Sequence, residues 1–338
     1  MTGNREGQVV TFYSYNGGTG RTMAMANVAW ILAASGKRVL VADWDIESPG
    51  LHRFFAPFIR PEELANAGGV IDLIREFEWA TMKDTDRQPG WYERYAAVGT
   101  YAFPLRWEFP TGGALDYLSA GRQNNDYSSS IQGLDWEMFY EYLGGGQFLD
   151  ALRADMKRNY DYTLIDSRTG VSDVAEICTI QLPDVLVACF TFSEQSISGA
   201  AQVTRQVRQR YEARKIRILP VAMRVDSVDS PRAAAGRLVS MQRFSGMPND
   251  MSEAERHLYW SRMQVPYQPP YAYEEILATF ADPPGQPGTL LTAYETLASY
   301  VSAGGVTRLA PVDEVTRSRV ADLFLRRVSS WDDENSGE

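Results

Sequence analysis

Histidine and cysteine are almost absent, with His52 and His257 as the two imidazoles and Cys178 and Cys189 as the two thiols. So few imidazoles make a histidine-based metal cluster improbable. The thiols match no metal spacing and lie in apolar stretches, which reads as free, buried cysteines. Positive charge is also short: 33 Lys and Arg stand against 43 Asp and Glu, a net charge of −10. A dedicated nucleic-acid binder needs a basic footprint that this balance does not provide, although a local patch stays open. No apolar run reaches membrane-spanning length, and residues 1–8 are polar, so neither a span nor a leading signal segment is expected and the chain reads as cytoplasmic. Internal repeats and low-complexity tracts are missing too.

What is present fits an ordinary globule with ample core, 44% hydrophobic and 22% charged over 338 residues, enough for one large α/β domain or two smaller ones. The most informative stretch is residues 9–22, VVTFYSYNGGTGRT. Val9, Val10, Phe12 and Tyr13 form a strand-like run, Gly17, Gly18 and Gly20 break it, and an apolar helical run over residues 23–34 follows. Strand, glycine loop and helix make a phosphate-binding architecture, because backbone N–H groups and the helix N-terminus converge on anionic oxygens. Thr22 stands where such a loop places a hydroxyl for Mg²⁺. The general pattern G-x-x-x-x-G-K-[ST] is not matched literally, since Arg21 takes the lysine position. A plain glycine turn without a ligand is the bland alternative.

The x-G-G-x-G-[KR]-T pattern resembles the deviant loop of the MinD/ParA group of P-loop ATPases, and most closely a subgroup whose loop reads KGGVGRT. Here Asn16 replaces the first basic residue of that signature. Later segments extend the resemblance. Residues 38–43 (RVLVAD) form a second apolar strand, and strand, helix, strand gives a right-handed βαβ unit. It ends in Asp43-Trp-Asp45, where the family has switch I, so the resemblance gives Asp45 the water-orienting role and Asp43 a supporting one near Mg²⁺. His52 beside it reads as packed at the domain edge. Residues 162–170 (YTLIDSRTG) resemble a Walker B strand ending in Asp166, followed by switch II over 167–173. Arg168 there is either a sensor of phosphate or partner or a local salt-bridge residue.

The rest of the chain is read in order. Residues 70–79 make an amphipathic helix, 81–113 an irregular excursion with Trp91 and Trp107 as anchors to the core, 115–118 a further strand, and 123–130 a polar loop. Helices are expected over 135–143 and 147–158, broken at 144–146, then a buried strand over 184–191. A helix over 197–214 carries Arg205, Arg208, Arg210 and Arg214 as a basic stripe or a solvated face. The strand over 215–223 leads to Arg224 and Asp226, base-pocket candidates by the resemblance. Asp would read guanine N–H groups and Arg would stack on adenine, so the base stays open. Two helices over 230–262 and a last strand around 263–265 bring Pro266 and Tyr267, whose backbone would cover the base. Helices close the chain over 289–301 and 313–328, ahead of an acidic end, 332–338, expected to be disordered.

The expectation is therefore an α/β fold with a mostly parallel central sheet flanked by helices on both faces, plus additional C-terminal helices. Residues 1–305 would be the nucleotide-binding domain, 306–331 a C-terminal helix and 332–338 a tail. The resemblance implies ATP or ADP with Mg²⁺, a face-to-face homodimer and a protein partner. The loop residues Gly17, Gly18, Thr19, Gly20, Arg21, Thr22 and Met23 would hold phosphate. Thr22, Asp43, Asp45 and Asp166 would serve the metal. Asp45, Arg21 and Asn16 would set a slow hydrolysis, since asparagine cannot supply the charge of the missing lysine. The alternative is a nucleotide-binding scaffold or signalling adaptor without hydrolysis. A tyrosine autokinase of the same fold would need a tail tyrosine cluster, and no tyrosine follows Tyr300. Nucleic acid and membrane are not favoured. In the last helix Val315, Val320, Leu323, Phe324, Val328 and Trp331 lie near one face, Arg317, Arg319, Arg326 and Arg327 largely elsewhere, and the acids that follow would be repelled by an anionic surface.

Overall fold

Successive side chains of a strand point to opposite faces, so a strand that is apolar at every position needs cover on both sides. The computed structural model describes residues 6–83, 88–122, 127, 131, 133–210, 214–226 and 230–334, with backbone only at 173, 272 and 325–334. In it, strand β1 (Gln8–Ser14) is buried after its first residue. Val10 and Phe12 enter one apolar core and Val9 the other. Strand β2 (Arg38–Asp43) divides the same way, Val39 and Val41 to the first core, Leu40 and Ala42 to the second.

Six more strands complete the sheet: β3 (Phe103–Pro104), β4 (Ala114–Leu118), β5 (Tyr162–Asp166), β6 (Val185–Phe190), β7 (Arg217–Val225) and β8 (Gln264–Pro266). Their order is β3-β4-β2-β5-β1-β6-β7-β8, parallel throughout except that β3 runs antiparallel to β4. The main helices are α1 (Arg21–Ala34), α2 (Val70–Lys83), α3 (Gly145–Asn159), α4 (Glu194–Arg210), α5 (Pro231–Arg243), α6 (Glu253–Arg262), α7 (Leu290–Val301) and α8 (Glu314–Glu334). The first core takes residues from α1, α4, α7 and α8, and the second from α2 and α3. The expected fold class is thereby observed, a mostly parallel sheet with helices on both faces and further helices at the C-terminal end. The sheet's carboxyl edge collects Ser14, Asp43, Asp166 and Val225, where open α/β sheets bind ligands. Asp43 and Asp166 are direct register partners on β2 and β5.

Several local expectations shift by a few residues, and one element is new. β3 lies in the stretch read as irregular, because a two-residue edge strand containing a proline has no periodic signal and proline is tolerated at an edge. The tryptophans anchor as expected: Trp91 stacks on Phe77 with centroids 5.6 Å apart, and Trp107 lies 5.5 Å from Trp30. Cys178 and Cys189 are free and buried. Residues 123–126 and 128–130 of the expected polar loop lie outside the described residues.

Along α8 the apolar face is narrower than the sequence suggests. Val320 and Phe324 are buried, Phe324 sitting 6.2 Å from the Phe58 ring, whereas Val315 is 79% exposed. The side chains of Arg326, Arg327, Val328 and Trp331 lie outside the described residues. The helix also runs through Glu334, into the stretch expected to be disordered. Among the described residues no helix is long and apolar enough to cross a membrane.

Trp30, 1% exposed on α1, is the hub of the first core, with the rings of Phe58, Phe109, Phe280 and Trp107 between 4.6 and 5.5 Å away. Trp30→Ala should cost about 3–5 kcal/mol of unfolding free energy in urea titration, because the cavity adds to the lost transfer energy. A loss below about 1 kcal/mol would mean that the helix is not seated as described.

Candidate functional site

The loop between β1 and α1 owes its path to two glycines. Gly18 and Gly20 have φ of 71° and 88°, and Gly20 is the N-cap of α1, its carbonyl accepting the Ala24 N–H at 3.0 Å. A side chain at either would be strained. Gly17 is different. Its φ is not in that region, and a Cβ built on it meets nothing within 4 Å. The fold does not require glycine there, but a side chain would occupy the open space against the loop. Asn16, half-buried, accepts the Ser14 hydroxyl on its carbonyl at 2.9 Å, while its buried side-chain oxygen has no donor among the described residues.

Below the loop, Arg21 and Thr22 leave the first turn of α1 toward the ends of β2 and β5. The Arg21 guanidinium donates from Nε to Asp166 at 2.6 Å and from Nη2 to Asp45 at 3.2 Å. The Thr22 hydroxyl donates to the second Asp166 oxygen at 2.7 Å. Arg21 is 6% exposed, so burial works against its charge, but Asp166 and Asp45 more than offset this and its pKa is raised. Its Nη1 is buried without an acceptor among the described residues, a donor free for an anionic oxygen. Asp43, fully buried, accepts the backbone N–H groups of Asp45 at 3.1 Å and Leu51 at 3.2 Å. Burial, and after it the Asp166 charge, pushes its carboxyl well above the usual range. Burial also raises Asp45, against the pull of Arg21.

These contacts tie two loop segments to the site. Asp43 hydrogen-bonds across residues 45–51, and Arg168 forms an ion pair with Glu47, so the local salt-bridge reading of Arg168 is the observed one. Gly170 donates its N–H to Ser14 at 3.3 Å and accepts the Tyr13 hydroxyl at 3.0 Å. His52 is half-buried in the short helix Leu51–Phe54. Two arginines of the expected basic stripe are engaged locally, Arg210 with Glu176 at 3.0 Å and Arg214 with Asp150 at 2.6 Å.

On the far side of the loop, the pairing of β7 with β8 shifts register between Ala222 and Val225. Such an irregularity re-aims side chains at a sheet rim. Arg224, with φ of 54°, lies over the Tyr267 ring at 4.9 Å and donates from Nη1 to the Gly18 carbonyl at 2.6 Å. Tyr267 is held by its N–H on the Val225 carbonyl at 2.8 Å, and Pro266 is the register partner of Val225. Asp226 is exposed at the end of this segment. Met23 is half-buried in the first turn of α1, and Thr19 is buried in the loop.

The residues singled out from the sequence thus fall into two groups around one loop: Arg21, Thr22, Asp43, Asp45 and Asp166 beneath it, and Arg224, Pro266 and Tyr267 beside it. The bond from Arg224 to Gly18 was not expected, and no sequence spacing carries it, because it depends on the shifted pairing of β7 and β8.

The family model for the CobQ/CobB/MinD/ParA nucleotide binding domain matches residues 10–302. The chain belongs to that family. Among solved structures it is similar to the septum site-determining protein MinD of Pyrococcus horikoshii OT3 complexed with Mg-ADP, at 16% identity over 89% of this chain and 98% of that one, TM-score 0.59. It is also similar to a single-residue variant of Cyanothece McdA in an ATP complex, at 15% identity over 88% and 97% of the chains, TM-score 0.57. These likenesses establish the MinD/ParA-like P-loop fold. The succinoglycan biosynthesis transport protein ExoP of Rhizobium meliloti (strain 1021) is 38% identical over 88 residues, which are 26% of this chain. That match spans about a tenth of ExoP, 10% of its length.

Two outcomes test the cluster. Arg21→Ala leaves Asp166 buried, and Asp45 half-buried, without their cation, and should lower stability by about 3–5 kcal/mol in denaturant titration; a neutral effect would show the pairs to be loose. The second concerns pH. Asp43 and Asp45 keep protons in the folded chain at a pH where the unfolded chain has lost them, so their contribution to stability falls as pH rises above the ordinary carboxylate range. Asp45→Asn removes one such group, so its melting temperature relative to the unsubstituted chain should climb as pH rises through the range above the ordinary carboxylate pKa. A difference that shrinks over that range would contradict the sign.

Proposed function

We propose that this chain is an ATP- and Mg²⁺-dependent molecular switch with slow hydrolysis, acting as a face-to-face homodimer that recruits a protein partner. One observation carries the reading. Arg21, Thr22 and Asp166 are bonded together beneath a glycine loop whose open side faces Gly17, with Asp45 on the same guanidinium. The orphaned Arg21 Nη1 at the foot of the loop fits a phosphate oxygen. The carboxylates fit a Mg²⁺ bound in the manner usual for this ion, through few protein ligands and many waters.

Thr22 and Asp166 would hold the metal and its waters, with Asp43 in support. Mg²⁺, when bound, supplies charge neutralisation to the phosphate oxygens. The loop backbone with Gly17, Gly18, Thr19, Gly20 and Met23 would bind phosphate, and Pro266 and Tyr267 would cover the base, with Asp226 beside them. Arg21 is the pivot of the cycle. Without nucleotide it neutralises Asp166 and Asp45 through Nε and Nη2; a triphosphate would engage the free Nη1 first and then compete with Asp45 for the guanidinium. Asp45, once released, is the residue to orient the attacking water. Because Asp45 and Asp166 lie in the two segments joined by Glu47 and Arg168, the exchange would be transmitted to both as a change in shape.

Hydrolysis should be slow because Asn16 offers a neutral amide where the signature has a lysine, and because a planar guanidinium follows a transferring phosphoryl less readily than an ammonium. A transition-state cation is worth about 10³ to 10⁵ in rate, more than any ground-state loss at this position. The same two residues favour a second reading, a nucleotide-binding scaffold that does not turn over. Calorimetry with ATP, ADP and GTP, with and without Mg²⁺, tests binding. Turnover and size with ATP and a non-hydrolysable analogue then separate the two readings. Asn16→Lys should raise turnover more than affinity, and Asp45→Ala should abolish turnover while leaving binding and dimerisation in place. No binding of any nucleotide would overturn the proposal, as would fast turnover by the unsubstituted chain.

A further inference from the structure

The amino acid missing from the loop's signature has a substitute in space. Asn16 is neutral, and its side-chain oxygen is buried without a donor among the described residues. Two residues further on, the exposed rim of the loop at Gly18 is touched by a cation from another part of the chain. Arg224 donates from Nη1 to the Gly18 carbonyl at 2.6 Å, and its guanidinium stands 3.9 Å from where a Gly18 Cβ would be. A reading of Arg224 as a base contact does not account for this, because the group reaches the phosphate loop.

Three features hold the side chain there. The shifted pairing between Ala222 and Val225 and the left-handed backbone at Arg224, φ 54°, turn it out of the strand's regular alternation. The Tyr267 ring supports the guanidinium from beneath, its centroid 4.9 Å away. Tyr267 is itself fixed by the Val225 carbonyl. The one hydrogen bond Arg224 makes among the described residues goes to a neutral carbonyl, and the remaining guanidinium donors stay available at an exposed position. A strained backbone conformation that places an arginine at a loop rim points to a ligand carrying negative charge.

We infer that Arg224 supplies in cis a positive charge for binding the polyphosphate of the nucleotide, contacting it rather than the base, and leaves the transition-state deficit at Asn16 in place. The inference rests on the nucleotide-switch reading above and names a specific residue for the phosphate. Exchange of the Gly18 carbonyl for a phosphate oxygen replaces a neutral acceptor with a charged one, which is the stronger bond. Tyr267 remains beneath the guanidinium and keeps it from swinging into solvent.

Inorganic tripolyphosphate, which has no base, separates the two roles. Its binding and that of ATP, both with Mg²⁺, are measured by calorimetry on the full chain. Variants are Arg224→Gln, Arg224→Lys and Arg224→Gly, the last chosen because glycine suits the left-handed backbone and preserves the fold. Arg224→Gln and Arg224→Gly should weaken both ligands by the same factor, roughly tenfold to a hundredfold. Arg224→Lys should retain most of the affinity, and Asn16→Lys added to Arg224→Gln should restore it. If the substitutions weaken ATP but leave tripolyphosphate unchanged, Arg224 serves the base and the inference fails while the switch reading stands. If Arg224→Lys is as weak as Arg224→Gln and Asn16→Lys restores nothing, the side chain only shapes the loop, and the inference also fails. If the unsubstituted chain binds neither ligand, the switch reading itself falls.

Discussion

A guanidinium buried between two carboxylates is the contact on which the rest of the site depends. Register alone brings Asp43 and Asp166 side by side at the ends of β2 and β5, and Asp45 follows two residues later. Three acids at one dry strand edge would repel one another and lose their solvation together. Arg21 resolves this by bonding Asp166 and Asp45, while backbone N–H groups from residues 45 and 51 serve Asp43. The arrangement is self-neutralising, so the cluster can stay buried without a ligand. It also sets a threshold for any ligand, which must replace the bonds that Arg21 gives up.

The two-faced sheet is what lets so many functional groups gather at one edge. Because every central strand is covered on both faces, β1, β2 and β5 are held in fixed register, and their ends cannot shift independently. The segments that leave those ends are tied back by several bonds: Trp44 to the Asp166 carbonyl, Ser167 to the Phe12 carbonyl, the Tyr127 hydroxyl to the Ile46 carbonyl, Arg168 to Glu47, and Gly170 to Ser14 and to the Tyr13 hydroxyl.

Much of this was legible in the sequence, and what was not has physical reasons. The continuous apolar runs of β1, β2, β5 and β6 carried the parallel sheet, since doubly buried strands cannot alternate. The spacing of Asp43 and Asp45 from the glycine loop carried their convergence, because a βαβ unit fixes where the second strand ends relative to the first. Arg21 was singled out from its place in the loop. Its partners here were not legible, since an ion pair across 145 positions leaves no local pattern. β3 was hidden by its length, and the narrow face of α8 by Val315, which has the right spacing but lies before the helix reaches the core.

The two arginines of the site differ in how firmly the protein holds them, and that difference assigns their order of engagement. Arg21 is buried, and both its acceptors are carboxyl groups, those of Asp45 and Asp166. Arg224 is exposed, with one neutral carbonyl and an aromatic face as partners. Two carboxyl acceptors in a buried setting hold a guanidinium more firmly than one neutral carbonyl at an exposed rim, so Arg224 is the cheaper of the two to redirect. On the proposed nucleotide-switch reading, an arriving polyphosphate would meet the loosely held cation at the rim before it displaced the tightly held one at the floor. The rim arginine would attract the anion without disturbing the carboxylates, and the floor arginine would move only when the loop is filled. A lysine at position 16 would add its charge at the rim without any connection to the floor. Moving that charge to Arg224 places it on the segment that carries Tyr267, and so joins phosphate capture to the base side of the site.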